Sequence, residues 1–179
     1  MNSLDYLVIH CTATPAGRDI QKDDIIRWHM SPRSKGGRGW DRLGYSDMIY
    51  LDGSLVNLTP YNQDSNVDPW EVSWGASGIN FRSRHVVYTG GLAVDPDLEL
   101  MSEDDLDDMP FNDKYLPHDT RTPAQIDTLE VYVKYMIKRH PNIKVAGHNQ
   151  FSSKACPSFD VSRWLHSAGI SPNNIYASK

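Results

Sequence analysis

Between Val145 and Asp160 the chain places His148, Lys154 and Cys156 within nine positions, on a loop bounded by an apolar run and a helix start. Imidazole and thiolate are both good zinc ligands. Two donors do not make a site, because a catalytic zinc takes three protein groups and keeps one position open. The place to look for the third is Tyr6-Leu-Val-Ile-His10, where a histidine ends the first apolar strand.

A His10, His148 and Cys156 set would leave one tetrahedral position for water, the catalytic rather than the structural pattern. Attack of that water on an amide needs charge stabilisation for the oxyanion and a proton for the leaving nitrogen. Lys154, two residues before Cys156, and Tyr45, following Gly44 at a strand start, are suitable donors. Spacing alone leaves this zinc reading open. Of the other histidines, His29, His118, His140 and His166 fall in helices, caps or loops and read as structural or surface groups. Side chains alternate along a strand, so Cys11 should face away from His10 and into the core. A Cys11–Cys156 bridge is conceivable, but it would forbid Cys156 as a ligand. Trp70 and Trp74 fit either a sugar-stacking cleft or a plug beneath a long loop.

The elements that must position these groups follow from the pattern. Tyr6 to His10 reads as a strand, Gln21 to Met30 as a helix closed by Pro32, and Ser34 to Gly39 as a flexible basic loop. Trp40 to Tyr50 reads as a strand, with Asp52-Gly53 turning it into a partner at Leu55 to Leu58. Thr59 to Phe81 is loop-like, and His85 to Thr89 is a strand. Thr122-Pro-Ala-Gln125 opens a helix with a capping box, and Ile126, Leu129, Val133, Met136 and Ile137 give it one apolar stripe. Ile143 to Ala146 is a strand carrying Gly147-His148, and Asp160 to His166 is a final helix. Alternating strands and helices predict an α/β fold, a mixed sheet flanked by helices in a single domain spanning 1–179.

A net charge of −5 hides an uneven distribution. Asp95 to Asp113 carries nine acidic residues and no lysine or arginine, so without them the body is at +4 and suits an anionic polymer. No basic stripe with interleaved aromatics points to nucleic acid. The acidic stretch is read as a solvated excursion; Asp95-x-Asp97-x-Glu99 has calcium-loop spacing, but Leu100 stands where the turn glycine belongs. No apolar run reaches membrane-spanning length and no secretory signal is visible, so the expectation is a protein that is cytoplasmic as synthesised, and a monomer.

The chain resembles the zinc-dependent (type 2) N-acetylmuramoyl-L-alanine amidases, of the branch that includes phage T7 lysozyme and, more distantly, the peptidoglycan recognition proteins. The matching pieces are Val8-Ile-His10-Cys-Thr-Ala-Thr14, Ile26-Arg-Trp-His29, Gly39-Trp40, Gly44-Tyr45, Asp52-Gly53, Gly78-Ile-Asn80, Gly90-Gly91, Thr122-Pro-Ala-Gln125 and Gly147-His148 through Lys154-Ala-Cys156-Pro-Ser-Phe-Asp160. They occur in the family's order across most of 5–165. The resemblance implies that His10, His148 and Cys156 bind Zn2+, that Tyr45 and Lys154 assist catalysis, and that Trp74 and Asn80 contact substrate. It implies cleavage of the bond between N-acetylmuramic acid and L-alanine in peptidoglycan, as in a phage or prophage endolysin acting on the wall after lysis, holin release or dedicated export.

The sequence also departs from that pattern. Ser46 follows Tyr45 where the family commonly has histidine, and Gly75-Ala76 replaces a histidine–alanine pair. Pro32–Arg38 and an acidic insertion at about 92–121 are extra. Two rivals remain: a non-catalytic peptidoglycan-binding module, against which Cys156 speaks, and a cysteine amidase using Cys156 with His148. Pro157 suits a ligand loop better than a nucleophile at a helix N-terminus.

Overall fold

A computed structural model describes residues 2–177. The chain runs through β1 (Asn2–Ser3), β2 (Tyr6–Cys11), β3 (Thr14–Pro15) and α1 (Lys22–Met30) to the hairpin β4 (Asp47–Ile49) and β5 (Leu55–Asn57). Next come β6 (Asn66–Val67), β7 (Ser83–Tyr88), β8 (Gly91–Val94) and the short helices α2 (Glu103–Asp108) and α3 (Phe111–Lys114). Then β9 (Tyr115–Pro117), α4 (Pro123–Arg139), β10 (Lys144–Gly147) and α5 (Val161–Ser167) follow.

The central sheet has the order β10-β2-β7-β4-β5; β4 and β5 are antiparallel and the other pairs are parallel. This is the expected mixed sheet. Parallel strands are covered on both faces and so need near-continuous apolar runs. Leu7-Val-Ile9 and Val86-Val87 meet that requirement and are fully buried. The hairpin turns where Gly53 adopts φ +84°, with the Ser54 N–H donating to Asp52 Oδ1 at 2.8 Å.

Each face of the sheet has its own core. On one face Leu7, Ile9, Cys11, Val86 and Tyr88 pack against Leu129, Val133 and Met136 of α4 and Val161 and Leu165 of α5. On the other, Met48 and Val87 pack against Ile20, Ile25, Leu43 and Leu58. Helix α4 begins as expected: the Thr122 hydroxyl accepts from the Gln125 N–H, and the Gln125 side chain accepts in return from the Thr122 N–H. Tyr132 joins Leu129, Val133 and Met136 on the buried stripe, while Ile126 and Ile137 lie at its half-buried margins.

Three expectations change. The strand expected over Trp40 to Tyr50 is confined to Asp47–Ile49, because residues 40–45 bond to helix, loop and side-chain groups and the pairing with β7 begins at Ser46, whose N–H donates to the His85 carbonyl. The long loop after Thr59 contains β6, which pairs with β1. The acidic excursion is structured: β8 pairs with β3 on one side and β9 on the other, and Ser102 caps α2 through the Asp105 N–H. Glu103, Asp104 and Asp105 lie in the first turn of α2, where the backbone N–H groups favour negative charge.

Candidate metal centre

Strands β2 and β10 are parallel and in register, Ile9 beside Gly147, so both run out at the same edge of the sheet. His10 lies at the end of β2, and His148 is the first residue beyond β10. The returning loop brings in Cys156. Its carbonyl accepts from the Asn149 N–H at 2.7 Å, and its Sγ accepts from the Cys11 N–H at 3.3 Å. The Tyr88 hydroxyl holds the next residue by donating to the Pro157 carbonyl at 2.7 Å.

One donor atom from each of His10, His148 and Cys156 lies within 4.8 Å of the others. Tetrahedral zinc, with bonds near 2.0 Å to nitrogen and 2.3 Å to sulfur, sets its ligand atoms about 3.3–3.6 Å apart. His10 Nδ1 and Cys156 Sγ, 3.7 Å apart, are close to that spacing. The three residues expected from the sequence are brought together, and both cysteines are free.

The electrostatics suit a cation. Burial, then the positive charge available at His85, His148 and Lys154, holds His10 well below the ordinary imidazole range. Burial and then Lys154 lower His148 as well. Both rings are therefore neutral near pH 7 and keep lone pairs to donate. The contact with Cys11, and then burial, pushes the Cys156 thiol up. A thiol held protonated by its surroundings is a poor free nucleophile, whereas a bound cation reverses that balance and deprotonates it. The donor set fits zinc.

Beside these donors opens a cleft of about 290 Å³, with Tyr45, Trp40, Trp74, Phe151 and Lys154 in its lining. The Tyr45 ring lies 5.2 Å from that of His10, and burial keeps its phenol protonated by raising it well above the ordinary tyrosine range. Lys154 is exposed at the cleft. The Trp74 indole N–H donates to Asp41 Oδ1 at 2.8 Å, and the Arg42 guanidinium stacks 4.9 Å from its ring. Arg38 covers the Trp40 face in the same way, at 5.0 Å. Trp70 is 56% exposed and takes no part. Asn80 is outside the lining and accepts the Ala76 N–H at 2.7 Å, bracing the loop behind Trp74.

Two histidines change standing. His29, taken from the sequence as structural or surface, lines the cleft; its Nδ1 accepts the Gly44 N–H at 3.1 Å and its ring lies 4.9 Å from Trp40. Burial and then Arg38 lower it to about 4, so it is neutral. Its place in Ile26-Arg-Trp-His29 was the signal that pointed here. His85, read only as part of a strand, lies with Nδ1 3.0 Å from His10 Nε2. No local pattern marked it, because its position depends on the pairing of β2 with β7.

A model of the N-acetylmuramoyl-L-alanine amidase family matches residues 1–159. The endolysin of Escherichia phage T7 is 26% identical over 162 residues, covering 90% of this chain and 85% of that one. The endolysin of Klebsiella phage KP32 is 26% identical over 158 residues, covering 88% and 83%. Among solved structures, the N-acetylmuramoyl-L-alanine amidase LysC from Clostridium intestinale superposes with a TM-score of 0.63 at 20% identity, covering 95% of this chain and 88% of that chain. Drosophila PGRP-LB superposes with a TM-score of 0.61 at 19% identity, covering 99% and 85%.

Proposed function

The chain belongs to the N-acetylmuramoyl-L-alanine amidase family, and from that premise we propose that His10, His148 and Cys156 hold a catalytic zinc served by Tyr45 and Lys154. The reaction is hydrolysis of the amide between N-acetylmuramic acid and L-alanine in peptidoglycan, the lytic activity of an endolysin. The observation that carries the metal assignment is the convergence of three donors from β2, β10 and the returning loop at the edge of one cleft.

When bound, zinc supplies Lewis-acid polarisation of the scissile carbonyl and brings the pKa of water to about 7. The remaining work belongs to the chain's own groups. Burial keeps His10 and His148 neutral, so neither wastes its lone pair on a proton. Lys154 places a positive charge where the carbonyl oxygen becomes an oxyanion, and the half-buried neutral phenol of Tyr45 donates a hydrogen bond beside it. Trp40 and Trp74, their faces backed by Arg38 and Arg42, line a wall suited to sugar and peptide, and the two guanidiniums favour an anionic stem. The enzyme acts on the wall as a monomer in this reading, since the site is complete within one chain.

The test is release of stem peptides with a new L-alanine amino terminus from purified peptidoglycan, with metal content measured in parallel. One zinc per chain, activity lost on chelation and activity restored by zinc are expected. Activity that ignores chelation but is destroyed by thiol alkylation would overturn the metal assignment in favour of a Cys156 nucleophile.

A further inference from the structure

His85 is outside the proposed ligand set, yet it is fully buried and 3.0 Å from one of the ligands. The backbone of β7 fixes it there: its N–H donates to Ser46 Oγ at 3.2 Å, and its carbonyl accepts from the Ser46 N–H at 2.8 Å. His10 therefore lies between two partners. Its Nδ1 faces Cys156 Sγ at 3.7 Å and its Nε2 faces His85 Nδ1.

A neutral imidazole carries one proton, so the two nitrogens of His10 do different things. For Nδ1 to offer its lone pair on the side of Cys156, the proton must sit on Nε2. The atom that receives it is His85 Nδ1. In the opposite tautomer a proton stands between His10 and the thiol, and the donor is lost. We infer that His85 is a positioning residue that selects the metal-binding tautomer of His10 by accepting its Nε2 proton. This rests on the zinc assignment above. Partners of this kind orient and sharpen a ligand in metal sites generally.

The surroundings of His85 agree. With Nδ1 accepting, its own proton is on Nε2, which is buried and without a hydrogen-bond partner among the described residues. Leaving such a group unsatisfied destabilises the fold. An apolar strand residue would avoid that cost, so stability does not explain a histidine at this position. Space is kept for the ring by Gly75, where a Cβ would come within 2.4 Å of His85 Nδ1 and 2.5 Å of its Cγ. Ser46 and Gly75, two positions at which the sequence departs from the family pattern, thus both border His85.

Zinc dissociation constants from competition with a chromophoric chelator, for the wild type, His85→Ala and His85→Asn, test the inference. They are read beside urea midpoints and long-range ¹H–¹⁵N spectra of the histidine rings. His85→Ala is expected to fold and to bind zinc about tenfold to a hundredfold more weakly. His85→Asn, whose amide oxygen can accept the same proton, should recover most of that loss, and the wild-type spectrum should show His10 protonated at Nε2. Wild-type affinity in His85→Ala, equal weakening in both variants, or His10 protonated at Nδ1 would overturn it. If the wild type binds no zinc, the metal assignment fails instead; the metal-free spectra of wild type and His85→Ala then still decide whether His85 sets the tautomer.

Discussion

Arg84 and His85 are neighbours on β7, so their side chains enter opposite faces of the sheet and join two buried polar clusters. The cluster around Arg84 is closed. Glu71 accepts from Arg84 Nη2 at 2.8 Å and from the N–H groups of Asn62 and Asp68 at 2.6 and 2.8 Å. Asp47, on the same face, accepts from Tyr61 and Tyr132 hydroxyls at 2.8 and 2.6 Å and from Asn57 at 3.0 Å. Arg84 Nη1 lacks a hydrogen bond, but the guanidinium lies 4.6 Å from the Tyr61 ring. The cluster around His85 is open. His10, His85 and His148 pack ring to ring, with burial lowering each one's affinity for protons, and among the described residues the cleft beside them has no carboxylate in its lining. Both clusters are buried and polar; they differ in whether acceptors and donors are matched within the chain. A matched network rigidifies the fold, while an unmatched one marks chemistry to be completed from outside.

That contrast can be broken from either side. Glu71→Ala strands the Arg84 charge and two loop N–H groups, so unfolding by urea should show a loss of about 3–5 kcal/mol, with zinc affinity unchanged. Tyr45→Phe should do the reverse: kcat falls about 10²–10³-fold, as for removal of one oxyanion donor, with the urea midpoint nearly unmoved. If Glu71→Ala stripped zinc, or Tyr45→Phe unfolded the chain, the division between the two faces would be wrong.

A smaller effect comes from acid. Burial, with His148 and Arg84 adding to it, lowers His85 to about 3, and His29 lies at about 4. Unfolded histidines titrate near 6.5, so between that value and the folded one the unfolded chain binds more protons. Stability of the metal-free protein should therefore be complete above about pH 6.5 and decline as pH falls toward 4. Urea midpoints across that interval measure it. A flat profile would mean that the imidazoles are solvated rather than held neutral by the fold.

Much of this was legible along the chain because it depends on local chemistry. The capping box at Thr122, the Asp52-Gly53 turn and the apolar runs of β2 and β7 each act within a few residues. The ends of the apolar runs of β2 and β10 located His10 and His148, and the loop chemistry around Lys154-Ala-Cys156 located the third donor. Residues 40–45 escaped because their backbone groups are satisfied by His29, a helix residue earlier in the chain, and by donors from the loops at Trp74 and Thr59. The acidic segment escaped because its charge density outweighed the short pairings of β8 with β3 and β9.

The sequence by itself determined the donor types, the alternation that turns His10 and Cys11 to opposite faces, and, through motifs spread across 5–165, the family the chain resembles. Only the tertiary structure decided which histidines meet. His85 stands beside His10 because β2 and β7 pair in parallel with Val8 opposite His85 and His10 opposite Val87, leaving the two rings as diagonal neighbours on one face. A shift of that register by one residue would turn His85 to the other face of the sheet. Register between distant strands is set by the packing of both cores together, and no window of sequence contains it.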